Sequence, residues 1–341
     1  MGVKLSICIS TVGRANFLRQ TVASILPQMT PETELVILDV GSTDATRGYC
    51  RLVDGVRYIR EEGNQPFDKK YARFGGLASG EYLWLFSDDD IMLPGAIAAA
   101  MEGLKTSPVL CLANAEVRDQ ECATVLQKEW VASVDGYPEL VEYYEGEDSM
   151  VMASLGSLAT CLGANIVRRD WWRKLNHHKY AGTLFGYFGA IFDSPIPGRV
   201  VFLSRPLWAA RLSNSTWFGA DFELWLITLP RIVWGFRHIA NSAKVQVTPR
   251  QPWRSWKRLF ASRAMGHYSP LQYRAFIKRG VVAAIIARVP VWVANRVAKT
   301  ALAFRRDRPT VTLYDLDRVI DRGIDLCESN ALIDFRKVRR I

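Results

Sequence analysis

The sequence predicts an α/β fold in which a mostly parallel sheet is flanked by helices, followed by a mainly helical and basic C-terminal region. Two observations support this prediction. Short apolar runs alternate with helical stripes in the N-terminal part of the chain, which is the pattern of parallel strands joined by crossover helices. Residues 224–306 then contain 16 lysines and arginines and no aspartate or glutamate, whereas residues 1–223 have a net charge of −6.

Four strands are predicted in the N-terminal part. They lie at Leu5–Ile9, Leu35–Leu38, Val56–Ile59 and Tyr82–Phe86. The helices between them are predicted at 16–26, from a cap at Thr43 or Asp44, and from a cap at Asp68 to about Ser79. In a parallel sheet the ligand crevice lies at the carboxyl ends of the strands. We therefore expect the topology to bring Asp39 and the run Asp88–Asp90 together.

The cysteine pattern argues against two classes of protein. Six cysteines are scattered along the 341 residues without CxxC spacing, so neither a zinc site nor a small disulfide scaffold is expected. A strand-like run follows Lys4 at once, without the pattern of a signal peptide. These features predict a reduced, cytoplasmic environment. The cysteines are Cys8, Cys50, Cys111, Cys122, Cys161 and Cys327.

Three adjacent aspartates, Asp88, Asp89 and Asp90, follow the fourth predicted strand. Neighbouring carboxylates repel each other and are costly beside a buried strand, and a divalent cation relieves that cost. Oxygen ligands suit Mg²⁺ or Mn²⁺, which also bridge to diphosphate oxygens. In a turn, Asp88 and Asp90 can point to the same side while Asp89 points away. The alternative is a solvated acidic loop.

Three segments with this spacing resemble a known family. They are Leu5–Arg14 (LSICISTVGR), Val36–Asp44 (VILDVGSTD) and Gly80–Asp90 (GEYLWLFSDDD), the last preceded by FDKKY at Phe67–Tyr71. Together they resemble the family 2 glycosyltransferases, and in particular their abequosyltransferase-like branch. The resemblance is strong to about residue 105 and weaker to about residue 217. It implies the GT-A fold, whose sheet is Rossmann-like.

The resemblance implies a binding site for a nucleotide-sugar donor. Thr11 and Arg14 would lie beside the nucleotide after the first strand. Asp39 would accept hydrogen bonds from the base or ribose, as an ionised carboxylate does well. Asp68 and Lys69 would line the donor cleft. The alternatives that remain are a turn cap for Asp39, a helix cap for Asp68, a turn residue for Thr11 and a solvated side chain for Lys69.

The resemblance also assigns the aspartate run. Asp88 would touch the ribose or a water on the metal, and Asp89 would belong to the same donor site. Asp88 and Asp90 would hold the Mg²⁺ or Mn²⁺, which neutralises charge on the departing nucleoside diphosphate.

The catalytic base is predicted by position. An inverting transferase needs a group that takes the proton of the acceptor hydroxyl. Many relatives place an acidic pair in the region that corresponds to 182–192, which contains no acid here. Asp193 is the next carboxylate and is our candidate base. His177, His178 and Asp221 are the alternatives.

Two domains are predicted. Residues 1–245 form the GT-A domain, with a nucleotide-binding half at 1–105 and an acceptor half at 106–245, and residues 246–341 form the helical C-terminal region. Within that region, Trp253 and Trp256 alternate with cations, as in membrane-interface segments. The apolar segment 280–304 is interrupted by cations and by Pro290, so it is predicted to lie on an anionic bilayer rather than to cross it. The alternative is a helix pair packed on the catalytic domain.

The combined prediction is a metal-dependent, inverting glycosyltransferase on the cytoplasmic face of a membrane. Its donor is a UDP-, GDP-, CDP- or dTDP-sugar, and its acceptor is a glycan or lipid-linked glycan. One alternative is a nucleotidyltransferase, although the first strand is not followed by a glycine-rich phosphate loop. The other is a non-enzymatic membrane or nucleic-acid binder. Nucleic acid is not an expected partner, because the sequence has no helix-turn-helix, RRM or zinc motif.

Overall fold

A computed structural model describes residues 2–63, 66–132, 138–214, 220–278, 280–305 and 309–321. The chain divides into a first unit, Met1–Arg211 with Phe236–Val247, and a second unit, Leu212–Gly235 with Thr248–Ile341. The predicted boundary after residue 245 lies close to Val247, where the chain passes from the first unit to the second for the last time. Residues 212–235, which the sequence assigns to the acceptor half, belong instead to the second unit.

The described part of the first unit contains one ten-stranded sheet. Its strands are β1 (Leu5–Thr11), β2 (Thr33–Val40), β3 (Val56–Glu61), β4 (Tyr82–Phe86), β5 (Ile91–Met92), β6 (Leu110–Arg118), β7 (Val125–Gln127), β8 (Leu140–Tyr143), β9 (Asn165–Arg168) and β10 (Val200–Arg211). Their order is β3-β2-β1-β4-β9-β6-β10-β5, with β7 on β6 and β8 on β10.

The helices of the first unit lie between these strands. They are α1 (Ala15–Ile25), α2 (Thr46–Leu52), α3 (Phe67–Ala72), α4 (Phe74–Leu77), α5 (Ala96–Gly103), α6 (Asp148–Ala159), α7 (Arg169–Trp172) and α8 (Gly186–Ile191), with α11 (Asn241–Val247) after the insertion. Those of the second unit are α9 (Asp221–Glu223), α10 (Leu229–Gly235), α12 (Trp256–Ala264), α13 (Pro270–Gln272), α14 (Val281–Arg288), α15 (Val291–Ala303) and α16 (Thr310–Asp321).

The parallel half of the sheet is the half that the sequence predicts. Strands β3, β2, β1 and β4 run parallel, and every residue of β1 and β4 is buried. Burial on both faces explains why these strands are continuous apolar runs. In the other half β9 is antiparallel to β4 and β6, whereas β10 is parallel to β6. The predicted fold class, an α/β fold with a mostly parallel sheet flanked by helices, is confirmed.

Strand register places polar residues at one edge of the parallel half. Thr11 of β1 pairs with Asp39 of β2, and Asp39 pairs with Arg60 of β3. Phe86, the last residue of β4, pairs with Ile9, so the aspartate run begins at the same edge.

The helix predicted from Asp68 to about Ser79 is wrong in its extent and its cap. It is two short helices, α3 and α4, and Pro66 rather than Asp68 occupies the cap position of α3. Gly75 of α4 packs closely on the region around α7, since a Cβ at this position would lie 2.8 Å from a side-chain carbon of Arg173.

The second unit is helical in its described part, as predicted for the C-terminal region. One hydrophobic cluster consists of Phe222, Ile227, Leu259, Tyr268, Ala283, Ile286 and Ala287, and another of Ala264, Ala294 and Leu316. None of the described helices alone has the length and apolar character to cross a membrane. Helices α14 and α15 meet that criterion only as a pair, which is bent by 102°.

The close packing of Gly80 on β1 gives a test of the fold. A Cβ on Gly80 would lie 2.5 Å from Ser6 Oγ and 2.7 Å from the Ser6 backbone nitrogen. Gly80→Ala should therefore lower the free energy of unfolding by about 1–3 kcal/mol. Denaturant unfolding followed by circular dichroism measures this change. In the matched control Gly76→Ala the new methyl meets nothing within 4 Å, so stability should be unchanged or slightly raised. Equal losses in both variants would contradict the packing described.

Candidate active site

Thr11 and Asp88 connect the ends of β1 and β4. Thr11 is the last residue of β1, and its Oγ1 donates a hydrogen bond of 2.6 Å to Asp88 Oδ2. Both residues are buried. The hydrogen bond therefore holds Asp88 Oδ2 in place, and the other carboxylate oxygen, Oδ1, takes no part in it.

Arg14 compensates two of the three aspartates. Its Nη2 lies 2.6 Å from Asp89 Oδ2, and its Nε lies 3.7 Å from Asp88 Oδ1. Its side chain is only 13% exposed, and its guanidinium lies 5.0 Å from the centre of the Phe17 ring. The expected alternation, with Asp89 pointing away from Asp88, is wrong because one guanidinium contacts both side chains.

Arg211, the last residue of β10, supports the same turn from the other side. Its backbone N–H donates to Asp90 Oδ1 at 3.0 Å, and its Nε donates to the Asp89 carbonyl at 2.6 Å. Its remaining guanidinium nitrogens bond Gln20 Oε1 at 2.8 Å and the Gln120 carbonyl at 2.5 Å. Within the described ranges, no protein group hydrogen-bonds Asp90 Oδ2.

The carboxyl groups of Asp88 and Asp90 are hard to ionise. Burial, followed by the charge of Asp89, raises the pKa of Asp88 to about 7 even though Arg14 and Thr11 favour the ionised form. Burial and Asp89 also raise the pKa of Asp90 well above its usual value. A cation bound beside these two carboxyl groups would favour their ionised form and offset the cost of burying their charge.

Asp39 is held at the ends of β2 and β3 by three donors. Its Oδ1 accepts from the Ser42 N–H at 2.9 Å, and its Oδ2 accepts from the Tyr58 hydroxyl at 2.5 Å and Arg60 Nη1 at 3.1 Å. Its side chain is fully buried, whereas that of Arg60 is 22% exposed. Burial and the bond to Asp39 raise the pKa of Tyr58 to about 12. Asp39 thus orients the Tyr58 hydroxyl and the partly exposed Arg60 guanidinium.

Asp68 organises a distant loop. Its Oδ2 accepts from the backbone N–H groups of Gly182 at 2.9 Å and Leu184 at 3.0 Å, and its Oδ1 accepts from that of Gly186 at 2.8 Å. Burial raises its pKa despite these bonds. Leu184 has a positive φ of 63°, a strained conformation that the three hydrogen bonds help to hold.

The buried lysine of this region is Lys70, which the sequence analysis missed. Lys69, the predicted cleft residue, is exposed on α3. Lys70 is only 8% exposed. Burial lowers its pKa, although the charges of Asp88 and Asp39 favour its ammonium form. The structure describes no hydrogen bond from Lys70 to any of the residues it includes, so its ammonium is available to an anion beside the aspartate turn. In the sequence, Lys70 is distinguished from Lys69 only by its position directly before the aromatic residue Tyr71.

Asp193 follows α8 and binds two neighbours. It accepts hydrogen bonds from Lys179 Nζ and, at 2.6 Å, from the Tyr180 hydroxyl. Burial opposes its ionisation, but these two bonds outweigh it and hold the pKa of Asp193 below its usual value. Of the alternatives, His177 bonds the Trp172 carbonyl through Nε2 at 2.8 Å, and Asp221 lies in the second unit.

The fit of a divalent cation depends on Asp88 and Asp90. No cluster of three or more histidine, cysteine, aspartate or glutamate side chains suited to a metal occurs in the part of the chain that the structure describes. Asp88 Oδ1 and Asp90 Oδ2 take part in none of the hydrogen bonds described for these side chains. Two such carboxylate oxygens fit a Mg²⁺ site in which water and substrate phosphates provide the other ligands.

Comparison with solved structures defines the class of fold. The crystal structure of S. aureus TarS 1–349 has a TM-score of 0.56 at 13% identity, and the match covers 94% of this chain and 92% of that one. The TarS complex with UDP has a TM-score of 0.53 at 14% identity, and the complex with UDP-GlcNAc has 0.51 at 13%, with the same coverage. At these identities the similarity concerns the fold.

Sequence comparison then identifies the family. The model of Glycosyl transferase family 2 matches residues 6–176, the segment with Thr11, Asp39 and the aspartate turn. Abequosyltransferase RfbV of Salmonella typhimurium is 24% identical over 233 residues, which are 62% of this chain and 68% of RfbV. The chain belongs to glycosyl transferase family 2. The predicted enzyme class, a nucleotide-sugar glycosyltransferase, is confirmed over the nucleotidyltransferase and non-enzymatic alternatives.

The raised pKa of Asp88 predicts a pH-dependent stability. Its folded-state pKa of about 7 exceeds the unfolded value of about 3.9. Ionisation therefore destabilises the fold as the pH rises through this interval, and the cost is complete above about pH 7. Asp88→Asn should raise the Tm of metal-free protein at pH 8, and the gain should shrink at pH 5.

Differential scanning fluorimetry in EDTA measures both values. Asp54→Asn, a change at an exposed aspartate, is the control and should leave the Tm unchanged. A lower Tm for Asp88→Asn at pH 8 would contradict the electrostatic account of the turn.

Proposed function

We propose that this chain transfers a sugar from a nucleotide-diphosphate sugar to a glycan or lipid-linked glycan, with Mg²⁺ or Mn²⁺ held by Asp88 and Asp90. The observation that carries the proposal is the crowded aspartate turn that follows β4. There Asp88 and Asp90 each keep one oxygen outside the described hydrogen bonds to the protein, and burial and Asp89 raise the pKa of both carboxyl groups. A cation bound there relieves that repulsion. When bound, it supplies neutralisation of the negative charge on the leaving nucleoside diphosphate.

The protein contributes a preorganised frame for this chemistry. Thr11, Arg14 and Arg211 fix the turn through hydrogen bonds of 2.6 Å each to Asp88, to Asp89 and to the Asp89 carbonyl. Asp88 and Asp90 therefore do not need to reorganise when a ligand binds, which keeps their electrostatic contribution large.

Donor recognition is proposed for Lys70, Arg60 and Tyr58. The Lys70 ammonium lies where Asp88 and Asp39 influence it, a suitable position for contacts with diphosphate oxygens. Asp39 holds the Tyr58 hydroxyl and the Arg60 guanidinium by hydrogen bonds. We assign these two side chains to the nucleoside, so that Asp39 acts through them. A UDP-, GDP-, CDP- or dTDP-sugar is compatible with this set of donors.

For the acceptor, we propose that transfer inverts the configuration of the sugar and that Asp193 takes the proton of the acceptor hydroxyl. Asp193 lies near the loop that Asp68 holds. The bonds from Lys179 and Tyr180 hold the pKa of Asp193 below its usual value, so its carboxylate is ionised and able to accept a proton. The acceptor is proposed to be lipid-linked, at the cytoplasmic face of a membrane, because residues 224–306 contain 16 cations and no carboxylate.

A screen of nucleoside diphosphates tests the donor class. UDP, GDP, CDP and dTDP are added singly, with Mn²⁺ and with EDTA, and the Tm is measured. One of them should raise the Tm only with Mn²⁺, because a ligand at about 100 times its Kd stabilises the folded state by about 2.7 kcal/mol. If none stabilises the protein under either condition, the donor proposal fails.

Asp90→Asn connects the metal to the reaction. The variant should lose the Mn²⁺-dependent stabilisation and sugar transfer together, because a ligand charge is removed while the bond from the Arg211 N–H can remain. Its metal-free Tm should rise, since desolvation and the charge of Asp89 raise the pKa of the Asp90 carboxyl well above its usual value. Asp54→Asn is again the control and should keep both properties. Full Mn²⁺-dependent transfer by Asp90→Asn would refute the assignment.

Asp193→Asn separates a base from a positioning residue. A base should be essential, so kcat should fall by about 10²–10⁴-fold with little change in Tm. A positioning role predicts instead a lower Tm and a smaller loss of kcat, because the bonds from Lys179 and Tyr180 weaken. Steady-state kinetics and scanning fluorimetry on one preparation distinguish these outcomes. The control Tyr180→Phe removes one bond and keeps the carboxylate.

A further inference from the structure

Helix α14 presents branched apolar side chains to solvent. Val281 is 75% exposed, Val282 is 58% exposed and Ile285 is 59% exposed. The opposite side of the helix, with Ile286 and Ala287, is buried in the first hydrophobic cluster. The solvent side of a helix in a globular protein is ordinarily polar. We call the surface formed by Val281, Val282 and Ile285 the outer face of α14.

Cations flank this face at both ends. Lys278 lies three residues before α14 and Arg288 is its last residue, and both are exposed. Within the described ranges neither Lys278 nor Arg288 forms a salt bridge, whereas Lys299 of α15 pairs with Asp317. An apolar centre between basic ends is the pattern of a helix that lies in the interface of an anionic membrane.

Large apolar side chains are also exposed on and directly after the next helix, α15. Trp292 of α15 is 63% exposed, and Phe304, directly after α15, is 85% exposed. The bend between the helices is stabilised by the buried Arg263, whose Nε donates to the Val289 carbonyl at 2.6 Å. Since the bend is 102°, each helix presents a short face of its own, and a short face suits shallow insertion.

A third basic group lies at the start of α12. Arg254, Lys257 and Arg258 are exposed around its first turn, where the helix dipole is also positive and like charges are unfavourable. Trp256 in the same turn is 58% exposed. Anionic headgroups would reduce this repulsion, and tryptophan is enriched at the depth of the headgroups.

We propose that the outer face of α14 inserts into the headgroup region of an anionic bilayer, with Lys278 and Arg288 against lipid phosphates. The biological role of this contact rests on the lipid-linked acceptor of the proposed function, whereas the contact itself rests on the exposed side chains. The insertion is shallow, about 5–10 Å.

Charge favours a bilayer over a second copy of the chain as the occupant. Two copies that paired through the outer face would bring Lys278 and Arg288 of one chain close to those of the other, and like charges across an interface are costly. A bilayer that contains anionic lipid accepts the apolar side chains and the cations at the same time.

Co-sedimentation of the full chain with vesicles tests the inference. Phosphatidylcholine vesicles are used with and without phosphatidylglycerol. The protein should bind the anionic vesicles and be released gradually as salt rises, because screening shortens the reach of the cations. Val282→Asp/Ile285→Asp should weaken binding by at least about tenfold, since two inserted apolar side chains are replaced by charges. Lys278→Glu/Arg288→Glu should remove the preference for phosphatidylglycerol.

The matched control is Leu52→Asp/Met150→Asp. Both residues are exposed apolar side chains on helices of the first unit, at 86% and 56%, so the same chemical change there should leave vesicle binding as in the wild type. Each variant is checked by circular dichroism and by Mn²⁺-dependent stabilisation with the nucleoside diphosphate. Loss of that stabilisation in every protein, wild type included, would refute the donor proposal without affecting the membrane face.

Three results would overturn the inference. The first is absence of wild-type binding to anionic vesicles. The second is undiminished binding by Val282→Asp/Ile285→Asp. The third is a concentration-dependent dimer, seen by analytical ultracentrifugation, that the double aspartate variant abolishes while vesicles bind neither protein. That result would make a second copy the occupant of the outer face.

Discussion

The crowding of three carboxylates at the end of β4 is the constraint on which the described site depends. Thr11 and Arg14 approach the turn from the end of β1, and Arg211 approaches from the end of β10, with contacts of 2.6 Å each. Three segments far apart in the chain thus converge because one buried charged turn needs donors. Even so, the pKa of Asp88 stays raised to about 7, so the frame holds the carboxylates without satisfying them.

Two other buried carboxylates of the first unit accept more hydrogen bonds from the protein. Asp39 is held by three donors and Asp68 by three backbone N–H groups. These two side chains orient Arg60 and the loop at 182–186, respectively, and leave little capacity for a ligand. Carboxylates whose oxygens all accept hydrogen bonds from the protein, such as Asp39 and Asp68, build the site. Carboxylates with an oxygen left over, such as Asp88 and Asp90, can bind a ligand. The same criterion identifies Lys70 among the cations.

The second unit follows a different principle. Its described helices bury one side in two small clusters, yet α14 exposes Val281, Val282 and Ile285. Burial of apolar surface is the main favourable term in folding, and a surface left exposed in this way is a ready site for association. The basic composition of residues 224–306 is the reason that we propose an anionic surface as the occupant of this face.

The sequence alone determined the parallel half of the sheet, the aspartate turn and the family, because these depend on local patterns: continuous apolar runs that end in carboxylates. Only the tertiary structure decided the role of Arg211, whose backbone N–H meets an Asp90 carboxylate 121 residues away, and the choice of Lys70 over Lys69. It also replaced the predicted cap at Asp68 with bonds to a loop 114 to 118 residues distant. In α14 the neighbours Ile285 and Ile286 are equally apolar, and only packing against Phe222 and its cluster decides that Ile286 is buried. Local pattern specifies which side chains can be buried, whereas contacts between distant segments decide which of them are.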